Sequence, residues 1–463
     1  MIQIDYYNQA AAYANQGNWA ATAQLVELGL GSTPNDARLL GLKALVLTIN
    51  QRHAEAETFF RRALNADPTN AETHNNFGYM LRMTGQIEDS YEYFSRAVAL
   101  NENYLEGLRN LAYVAWLTDR YEVARNSFSR YYAFKPDDPK IPFHLAELCL
   151  GHGDFPQGWR LYQWRYNRID KLREYRALDL KYPVSPLPSR LDGKLVVVLP
   201  EQGLGDVLFF LRYAPILKAR GARIGYGAEA KVRRMVAATG YADELYNEQT
   251  ILPLLGRSLN ICAGDLPFMT GEDNSTPPPV RFSAIPEKVD QARARLAEVG
   301  PPPYIGVNWR AGMKAEVDEM RLFKETSPKR LGEVLRDMPG TVLAYQRNPE
   351  PGEHASFEEG LGRPCPDFSW IQDDLEVLMG YLAVTDEIVG VSSTSVHLRA
   401  AMGLDAKVLF ANAVEWRWML EGEASPWFPG CRVYRVHRKK YIDRELGRLH
   451  KELHESLRAK GLR

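Results

Sequence analysis

The fold of the first part of this chain is decided by a unit that reads AETHNNFGYMLRMTGQIEDSYEYFSRAVALNENY from Ala71 to Tyr104. Matching units begin at Gln3, Ala37 and Leu105, so one pattern of small and apolar residues recurs every 34 residues. A period of this length is typical of paired helices that bury their apolar faces against neighbouring pairs. The sequence therefore predicts a stacked helical array at the start of the chain.

Each unit carries small residues where its two helices are expected to touch. They stand at the eighth position (Ala10, Ala44, Gly78, Ala112) and at the twentieth (Thr22, Ala56, Ser90, Ala124), and a larger residue stands at the twenty-fourth (Val26, Phe60, Phe94, Phe128). Pro34, Pro68 and Pro136 follow three of the second helices. This register indicates tetratricopeptide repeats. A degenerate fifth unit from Pro139 keeps the register at Leu145, Ala146, Gly153 and Tyr162, and is predicted to cap the array and join it to the next domain.

Composition narrows the classes of function that remain. The chain has 463 residues, of which 45% are hydrophobic and 25% charged, which suits two or three globular domains. A net charge of -1 argues against nucleic acid as a partner. No apolar run is long enough for stable membrane insertion, and we expect a cytoplasmic protein. Cys149, Cys262, Cys365 and Cys431 lack paired spacing, which argues against a zinc site or disulfide framework.

The pattern changes after the repeats. We expect a repeat domain at residues 1–170, a linker at 171–192, and two α/β halves at 193–300 and 301–463. Predicted strands are residues 195–200, 222–226, 304–309, 341–345, 387–391 and 406–410; predicted helices are 207–219, 328–337, 375–383 and 396–402. The last segment, 443–463, has helical charge spacing, and by analogy with similar folds it is expected to brace the first half.

A first candidate site is the turn Gly203-Leu-Gly-Asp206, at the end of the first predicted strand. Such turns line ligand crevices in open α/β sheets, and Gly203 and Gly205 allow close backbone approach. The alternative is a simple tight turn in which Asp206 supports the amino end of the helix.

A second candidate site is Ser392-Ser-Thr-Ser395, followed by His397, at another strand end. Hydroxyl groups and helix amides together can hold a phosphate, although ordinary helix capping explains the same residues. The neighbouring strand ends at Trp309-Arg310, so Arg310 and the later Lys314 and Lys324 are predicted to bring positive charge to the crevice. Gln346 follows the next predicted strand, and both Trp309 and Gln346 are included in this site.

Several motifs, in order, resemble bacterial tetratricopeptide-repeat glycosyltransferases with the two-halved GT-B fold. They are Gly203-Leu-Gly-Asp206, Phe210-Leu-Arg-Tyr-Ala-Pro215, Gly306-Val-Asn-Trp309, Val391–Leu398, Glu415-Trp-Arg-Trp418 and Ser425-Pro-Trp-Phe-Pro429. The Gly-Asp turn and the serine-rich segment are also similar to those of heptosyltransferases, and the overall plan resembles protein O-GlcNAc transferase and flagellin glycosyltransferases. Many relatives carry Asp-Thr where this chain has Ser392-Ser393, so the role of that acid does not transfer.

The resemblance implies an inverting transfer of sugar from a nucleotide-sugar donor, held by the C-terminal half, to an acceptor on the N-terminal side. It implies Asp206 as catalytic base, with His397 also in the catalytic set. Trp416 and Arg417 join the predicted donor site, although core packing is an alternative for Trp416, Trp418 and Trp427. No Asp-x-Asp motif stands between apolar strands, so neither a metal nor another cofactor is expected.

The acceptor is predicted to be a protein, flagellin or a similar surface subunit. In the family, the sixth position of each repeat faces the groove, and here it holds Asn8, Asn76 and Asn110. Their amides can pair with a peptide backbone, and Tyr79, Tyr113 and Trp116 are predicted to add apolar contacts. Two alternatives stay open: a repeat scaffold that has lost activity, and a lipopolysaccharide-type glycosyltransferase.

Overall fold

The computed structural model describes residues 5–138, 140–165, 168, 184–201, 203–228, 230–254, 257–311, 324–411, 415–436 and 442–462. It divides into two compact units, Met1–Ile141 and Pro142–Arg463. Most of the predicted linker and Lys314 lie outside the described residues.

The first unit consists of the predicted helical pairs. Its helices are α1 (Tyr6–Asn15), α2 (Trp19–Ser32), α3 (Ala37–Ile49), α4 (His53–Ala66), α5 (Ala71–Met83), α6 (Ile87–Leu100), α7 (Leu105–Leu117) and α8 (Tyr121–Phe134). Three of them begin at the predicted starts of repeats, and side chains such as Asp36 and Asn70 accept hydrogen bonds from the first free amides. The predicted helical array is confirmed.

The predicted contact positions are also confirmed. The small residues at the eighth and twentieth positions, among them Ala44, Ala56 and Ala112, are buried. At Gly78, an added Cβ would lie 3.0 Å from the ring of Phe94, the large residue of the same repeat. Bulk is therefore excluded where the helices of a pair touch.

The fifth helical pair packs on the α/β part. It consists of α9 (Lys140–His152) and α10 (Phe155–Tyr162). Trp159 is 1% exposed, and its ring contacts those of Phe210 and Trp416 edge to face, with centroids 6.2 and 5.1 Å apart. This degenerate unit thus shares the hydrophobic core of the second unit.

The N-terminal half of the α/β part is built on a parallel sheet of order β3-β2-β1-β4. Its strands are β1 (Leu195–Leu199), β2 (Arg223–Gly227), β3 (Glu244–Tyr246) and β4 (Leu259–Cys262), and its longer helices are α11 (Leu204–Phe210), α12 (Ala214–Ala219) and α13 (Ala230–Ala238). The next helix, α14 (Pro286–Val299), packs against residues 375–384 of the C-terminal half. In register, Val196 pairs with Ile224 on one side and Leu259 on the other. The two predicted strands are confirmed, whereas the sequence did not reveal β3 and β4.

The C-terminal half has a parallel sheet of order β11-β10-β9-β5-β8. The strands are β5 (Tyr304–Asn308), β8 (Thr341–Ala344), β9 (Glu387–Val391), β10 (Ala406–Leu409) and β11 (Cys431–Tyr434), and β6 (Arg310–Ala311) and β7 (Lys324–Glu325) form a small antiparallel ribbon. Its helices are α15 (Pro328–Leu335), α16 (Glu353–Leu361), α17 (Leu375–Val384), α18 (Thr394–Ala401) and α19 (Ile442–Ala459). The predicted strands agree within about one residue, and two Rossmann-like halves are confirmed.

Two helices begin earlier than predicted, and the last helix packs elsewhere. α11 begins at Leu204 and α18 at Thr394, because Gly203 and Ser393 themselves occupy the capping positions. The expectation that the last helix braces the first half is wrong. Leu446, Leu449 and Leu453 of α19 lie in a core cluster with residues of the C-terminal half only.

Candidate functional site

The second candidate segment is organised around the hydroxyl of Ser392, which follows β9. Ser392 Oγ donates a 2.6 Å hydrogen bond to Glu415 Oε1 and lies 3.1 Å from Nε2 of His397. Lys324 Nζ donates to the same hydroxyl at 3.3 Å and to Glu415 Oε1 at 2.7 Å. A lysine, a carboxylate, a hydroxyl and an imidazole thus form one connected cluster, which we call the Ser392 cluster.

The hydrogen bonds of Ser392 determine which tautomer His397 adopts. A serine hydroxyl has a single proton, and here it goes to Glu415. His397 therefore donates from Nε2 to Ser392 Oγ, which leaves the lone pair on Nδ1. Burial lowers the pKa of His397 well below its usual range, and the charges of Lys324 and Arg417 lower it further. His397 is a neutral imidazole at neutral pH.

The first turn lies directly against this imidazole. A Cβ added to Gly205 would lie 3.3 Å from Nδ1 of His397, so the glycine permits this close approach between the two halves. Gly203 has open space around it. The Gly203–Asp206 turn of one half therefore lies close to the Ser392–His397 segment of the other half.

Asp206 lies in the first turn of α11 and contacts the guanidinium of Arg417. Its side chain is 19% exposed and that of Arg417 is 7% exposed. Burial raises the pKa of Asp206 above its usual value, although Arg417 and Lys324 act in the opposite direction. A carboxylate with a raised pKa is a stronger base than an exposed one.

The short helical turn Trp416–Trp418 and the residue before it, Glu415, carry the groups that hold both halves of the site. Glu415 binds Lys324 of the C-terminal half, and Arg417 binds Asp206 of the N-terminal half. The guanidinium of Arg417 also lies 4.4 Å from the ring centroid of Trp416. The role of Glu415 was missed, although an acid and a base two residues apart beside aromatic residues were visible in the sequence.

The side chains of Trp416 and Trp309, both predicted to belong to the donor site, are buried instead. Trp416 is 3% exposed and its ring packs edge to face against Phe209 and Trp427, with centroids 5.4 and 5.9 Å apart. Trp309 is fully buried and stacks on Phe357 at 5.2 Å. Both rings are part of the core, because tryptophan contributes more apolar area there than any other side chain.

Arg310 and Gln346 are both engaged by other residues of the C-terminal half. Arg310 Nε donates to Glu353 Oε1 at 2.7 Å and Nη2 donates to the carbonyl of Asn348 at 2.8 Å. Gln346 Oε1 accepts from the backbone amides of Trp309 and Arg310 at 3.0 and 2.9 Å. The Gln346 side chain thus holds the end of β5, and the charge of Arg310 is balanced by Glu353.

The other hydroxyl residues of this segment have different surroundings. Ser393 caps α18, accepting from the Val396 amide at 3.4 Å, and its hydroxyl donates to Asn308 Oδ1 at 3.3 Å. Ser395 is turned inward, where Gln372 Nε2 donates to its oxygen at 3.0 Å. A direct ligand contact by the Ser395 side chain is therefore not supported by its position, whereas Thr394 is partly exposed.

A buried ionic network surrounds Glu201, shortly before the first turn. Arg165 donates to Glu201 at 2.7 Å and to Asp265 at 2.8 Å, and Arg168 donates to Asp265 at 2.8 Å. Glu201 follows β1, so the network connects the end of α10 to the strand that leads into the turn. The hydrogen-bonded partners in this network are 36 to 100 residues apart in sequence, which no local pattern reveals.

The predicted acceptor residues lie on the first helices of the repeats. Asn110 Nδ2 donates to Asn75 Oδ1 at 2.8 Å, and Asn75 Nδ2 donates to Asn76 Oδ1 at 3.3 Å, so Asn75 joins this row. Asn8 instead bonds to Asp5. Tyr79 and Tyr113 are partly exposed. The prediction that Trp116 contacts the acceptor is wrong, because its ring is fully buried against Phe128 and has no surface that an acceptor could reach.

The four cysteines are buried free thiols. Within the described part of the chain, no helix has both the length and the apolar character needed to cross a bilayer.

The chain is similar to known proteins in both of its parts. Two family models described as tetratricopeptide repeat match it, one over residues 59–92 and the other over 7–71 and 81–139. Protein FlbA of Caulobacter vibrioides is 25% identical over 323 residues, which are 65% of this chain and 52% of that protein. The chain therefore spans about half the length of this relative.

Two solved structures show partial likeness. One is a glycosyl transferase of family 9 from Veillonella parvula, with a TM-score of 0.42 and 12% identity over 58% of this chain and 100% of that one. The other is pilF of Pseudomonas aeruginosa, with a TM-score of 0.32 and 21% identity over 39% and 91%. Residues 7–139 thus match tetratricopeptide repeats, and the chain continues into an α/β part with two parallel sheets.

Proposed function

We propose that this protein is an inverting glycosyltransferase that moves a sugar from a nucleotide-sugar donor to a hydroxyl group of a protein acceptor. One observation carries the proposal: Asp206 of one half and the Ser392 cluster of the other are held together by a single turn. A base on one side of a crevice and phosphate-binding groups on the other are what sugar transfer requires.

Asp206 is the base in this proposal. It takes the proton of the acceptor hydroxyl as the acceptor oxygen bonds to the sugar carbon, while the bond from that carbon to the diphosphate oxygen breaks. Because burial raises the pKa of Asp206, its carboxylate accepts a proton more readily than a solvated one. Arg417 orients the carboxylate, and its positive charge opposes the effect of burial on the pKa of Asp206.

The leaving nucleoside diphosphate takes up negative charge, which needs stabilisation. Lys324, the first amides of α18 and the hydroxyl of the partly exposed Thr394 are the groups assigned to it. Lys324 is held by Glu415 at 2.7 Å, so a bound diphosphate competes with this carboxylate for the ammonium group. Glu415 also places a carboxylate 2.6 Å from Ser392, and we assign to it the part of the acid that relatives carry at that position. No metal is assigned to the reaction.

The acceptor is proposed to bind along the asparagine row of the repeats. Asn75, Asn76 and Asn110 form consecutive amide contacts on successive units, and amides pair with a peptide backbone whatever its sequence. Changing Asn76 and Asn110 to Ala together is expected to abolish modification of a protein acceptor, with flagellin the first to test, while hydrolysis of the donor survives. Unchanged modification by this variant would move the acceptor site elsewhere and favour a lipid-linked acceptor.

A second candidate is a binding scaffold without activity. It is favoured by one observation: the described cations Lys324 and Arg310 are each neutralised by a carboxylate, Glu415 and Glu353. An enzyme would break down the nucleotide-sugar donor, whereas a scaffold would only bind it.

The experiment is a panel of nucleotide sugars, screened by thermal stabilisation and by release of nucleoside diphosphate. We expect one donor to stabilise the protein and to be hydrolysed slowly. Stabilisation without any release, with or without candidate protein acceptors, would support the scaffold. Neither effect with any donor would refute the proposed donor site.

A further inference from the structure

A second cluster of polar side chains lies away from the proposed reaction site, where the C-terminal helix meets the end of α15. α19 turns its leucines toward the core, with Leu449 and Leu453 fully buried. His450 and His454 flank this apolar stripe one turn apart, and Asp337 follows α15 on the facing segment. Residues four apart on a helix project from the same side, so both imidazoles reach the same carboxylate.

The distances between the three groups are close to those of metal ligands. Nε2 of His450 lies 3.6 Å from Asp337 Oδ2, and Nε2 of His454 lies 3.7 Å from the same oxygen. The three possible ligand atoms all lie within 4.8 Å of one another. Two ligands of a tetrahedral zinc ion, each at about 2.0–2.1 Å, are about 3.3 Å apart, so small side-chain rotations are enough to close the site.

A second observation concerns the orientation of one imidazole. Nδ1 of His450 lies 2.9 Å from the carbonyl oxygen of Val334, to which it can only donate. This bond fixes the proton on Nδ1 and directs the Nε2 lone pair toward Asp337. A backbone carbonyl on the far nitrogen is the usual support of a metal-binding histidine, because it sets the tautomer and ring orientation. An ion pair with Asp337 alone would require protonation of Nε2 and does not need this support.

We propose that Asp337, His450 and His454 bind a divalent transition metal, with zinc as the expected ion. Two neutral imidazoles and one carboxylate suit zinc better than magnesium or calcium, which prefer oxygen ligands. The side chains of His450, His454 and Asp337 are 38%, 28% and 65% exposed, so the ion enters from solvent and water completes its coordination. The metal fastens α19 to the end of α15. It is structural and independent of the proposed sugar transfer.

The test uses the full chain without a histidine tag. Zn²⁺ binding is followed by calorimetry, Co²⁺ binding by its visible absorption, and folding by circular dichroism. We expect one zinc ion per chain at micromolar concentrations and a higher unfolding temperature with zinc, because an ion bound only by the folded state stabilises it. His454→Gln is expected to weaken binding by at least about tenfold. Asp337→Asn should do the same without threatening the fold, since this side chain is largely exposed.

His53→Gln, in the repeats, is the matched control and should bind zinc like the natural chain. The proposal is overturned if the natural chain binds no zinc at micromolar concentrations. It is also overturned if Asp337→Asn and His454→Gln bind zinc as tightly as His53→Gln does, because the ion would then bind elsewhere.

Discussion

The ion pair between Lys324 and Glu415 leads to a two-part prediction: removing the charge of Glu415 should lower the stability of the fold and raise the affinity for nucleoside diphosphates. Lys324 Nζ lies 2.7 Å from Glu415 Oε1, and the two side chains are 14% and 4% exposed. Glu415→Gln keeps the shape and removes the charge. Breaking a buried pair costs up to about 3–5 kcal/mol, and because glutamine still accepts hydrogen bonds from Lys324 and Ser392, we expect roughly 1–3 kcal/mol of lost stability.

The same change is expected to tighten the binding of nucleoside diphosphates. With Glu415 neutral, the ammonium group of Lys324 is no longer balanced and attracts the diphosphate more strongly. A gain of about 1.4 kcal/mol, or roughly tenfold in affinity, is a modest fraction of the Coulomb energy of such a pair. Affinity is measured by calorimetry with UDP, GDP, CDP and ADP in turn, and stability by urea titration.

A double-mutant cycle provides the control for this prediction. Lys324→Met alone should weaken nucleotide binding, and in that background Glu415→Gln should have little effect on affinity, because its effect acts through the lysine. The reasoning is refuted if folded Glu415→Gln binds all four nucleotides no better than the natural chain. Equal effects of Glu415→Gln with and without Lys324 would also refute it.

Three other positions give predictions of their own. Gly205→Ala places a methyl group 3.3 Å from His397 Nδ1, so donor turnover should fall by about tenfold or more while the urea midpoint changes little. Unchanged turnover would show that the close contact between Gly205 and His397 is unimportant. Because the pKa of His397 is lowered in the folded state, the unfolded state binds more protons below about pH 6.5, so the free energy of unfolding should fall as the pH falls from 7 to 5. His397→Gln should lessen this loss of stability, and identical pH profiles for the variant and the natural chain would contradict the reasoning. Trp116→Ala should lower the free energy of unfolding by about 3–5 kcal/mol because the ring is fully buried, whereas Asn110→Ala should lower it by only about 1 kcal/mol. Similar losses for the two variants in urea titrations would contradict the assignment of Trp116 to the core.

The repeat register and both strand-end turns could be predicted from sequence because each is encoded locally. A period of small residues such as Ala44 and Gly78 reflects helix contacts that recur at fixed spacing. The turn at Gly203 and the hydroxyl run at Ser392 follow apolar segments that are strands, and parallel strands place their carboxyl ends at one edge. Local pattern and global fold agree at these positions.

What could not be predicted depends on contacts between distant residues. Glu415 meets Lys324 across 91 residues, and Arg165 meets Asp265 across 100 residues, so neither pairing leaves a periodic signal. The position of Trp116 in the repeat was known, but not that its ring points into the core. The nucleotide-site role of Arg310 and the catalytic role of Asp206 remain predictions, since geometry places these groups without showing what they bind.

The measurement that tests the central claim most directly is turnover by Asp206→Asn with the donor identified from the nucleotide-sugar panel. We expect donor affinity to stay within a few-fold of that of the natural chain, because Lys324 and the Ser392 cluster are unchanged. Transfer to the acceptor should fall by roughly 10²-fold or more, since a general base is removed. Asp290→Asn, an exposed carboxylate on α14 that pairs with Arg293 at the surface, is the matched control and should transfer normally. Full transfer by a folded Asp206→Asn variant would contradict the account, because a residue other than Asp206 would then be the base.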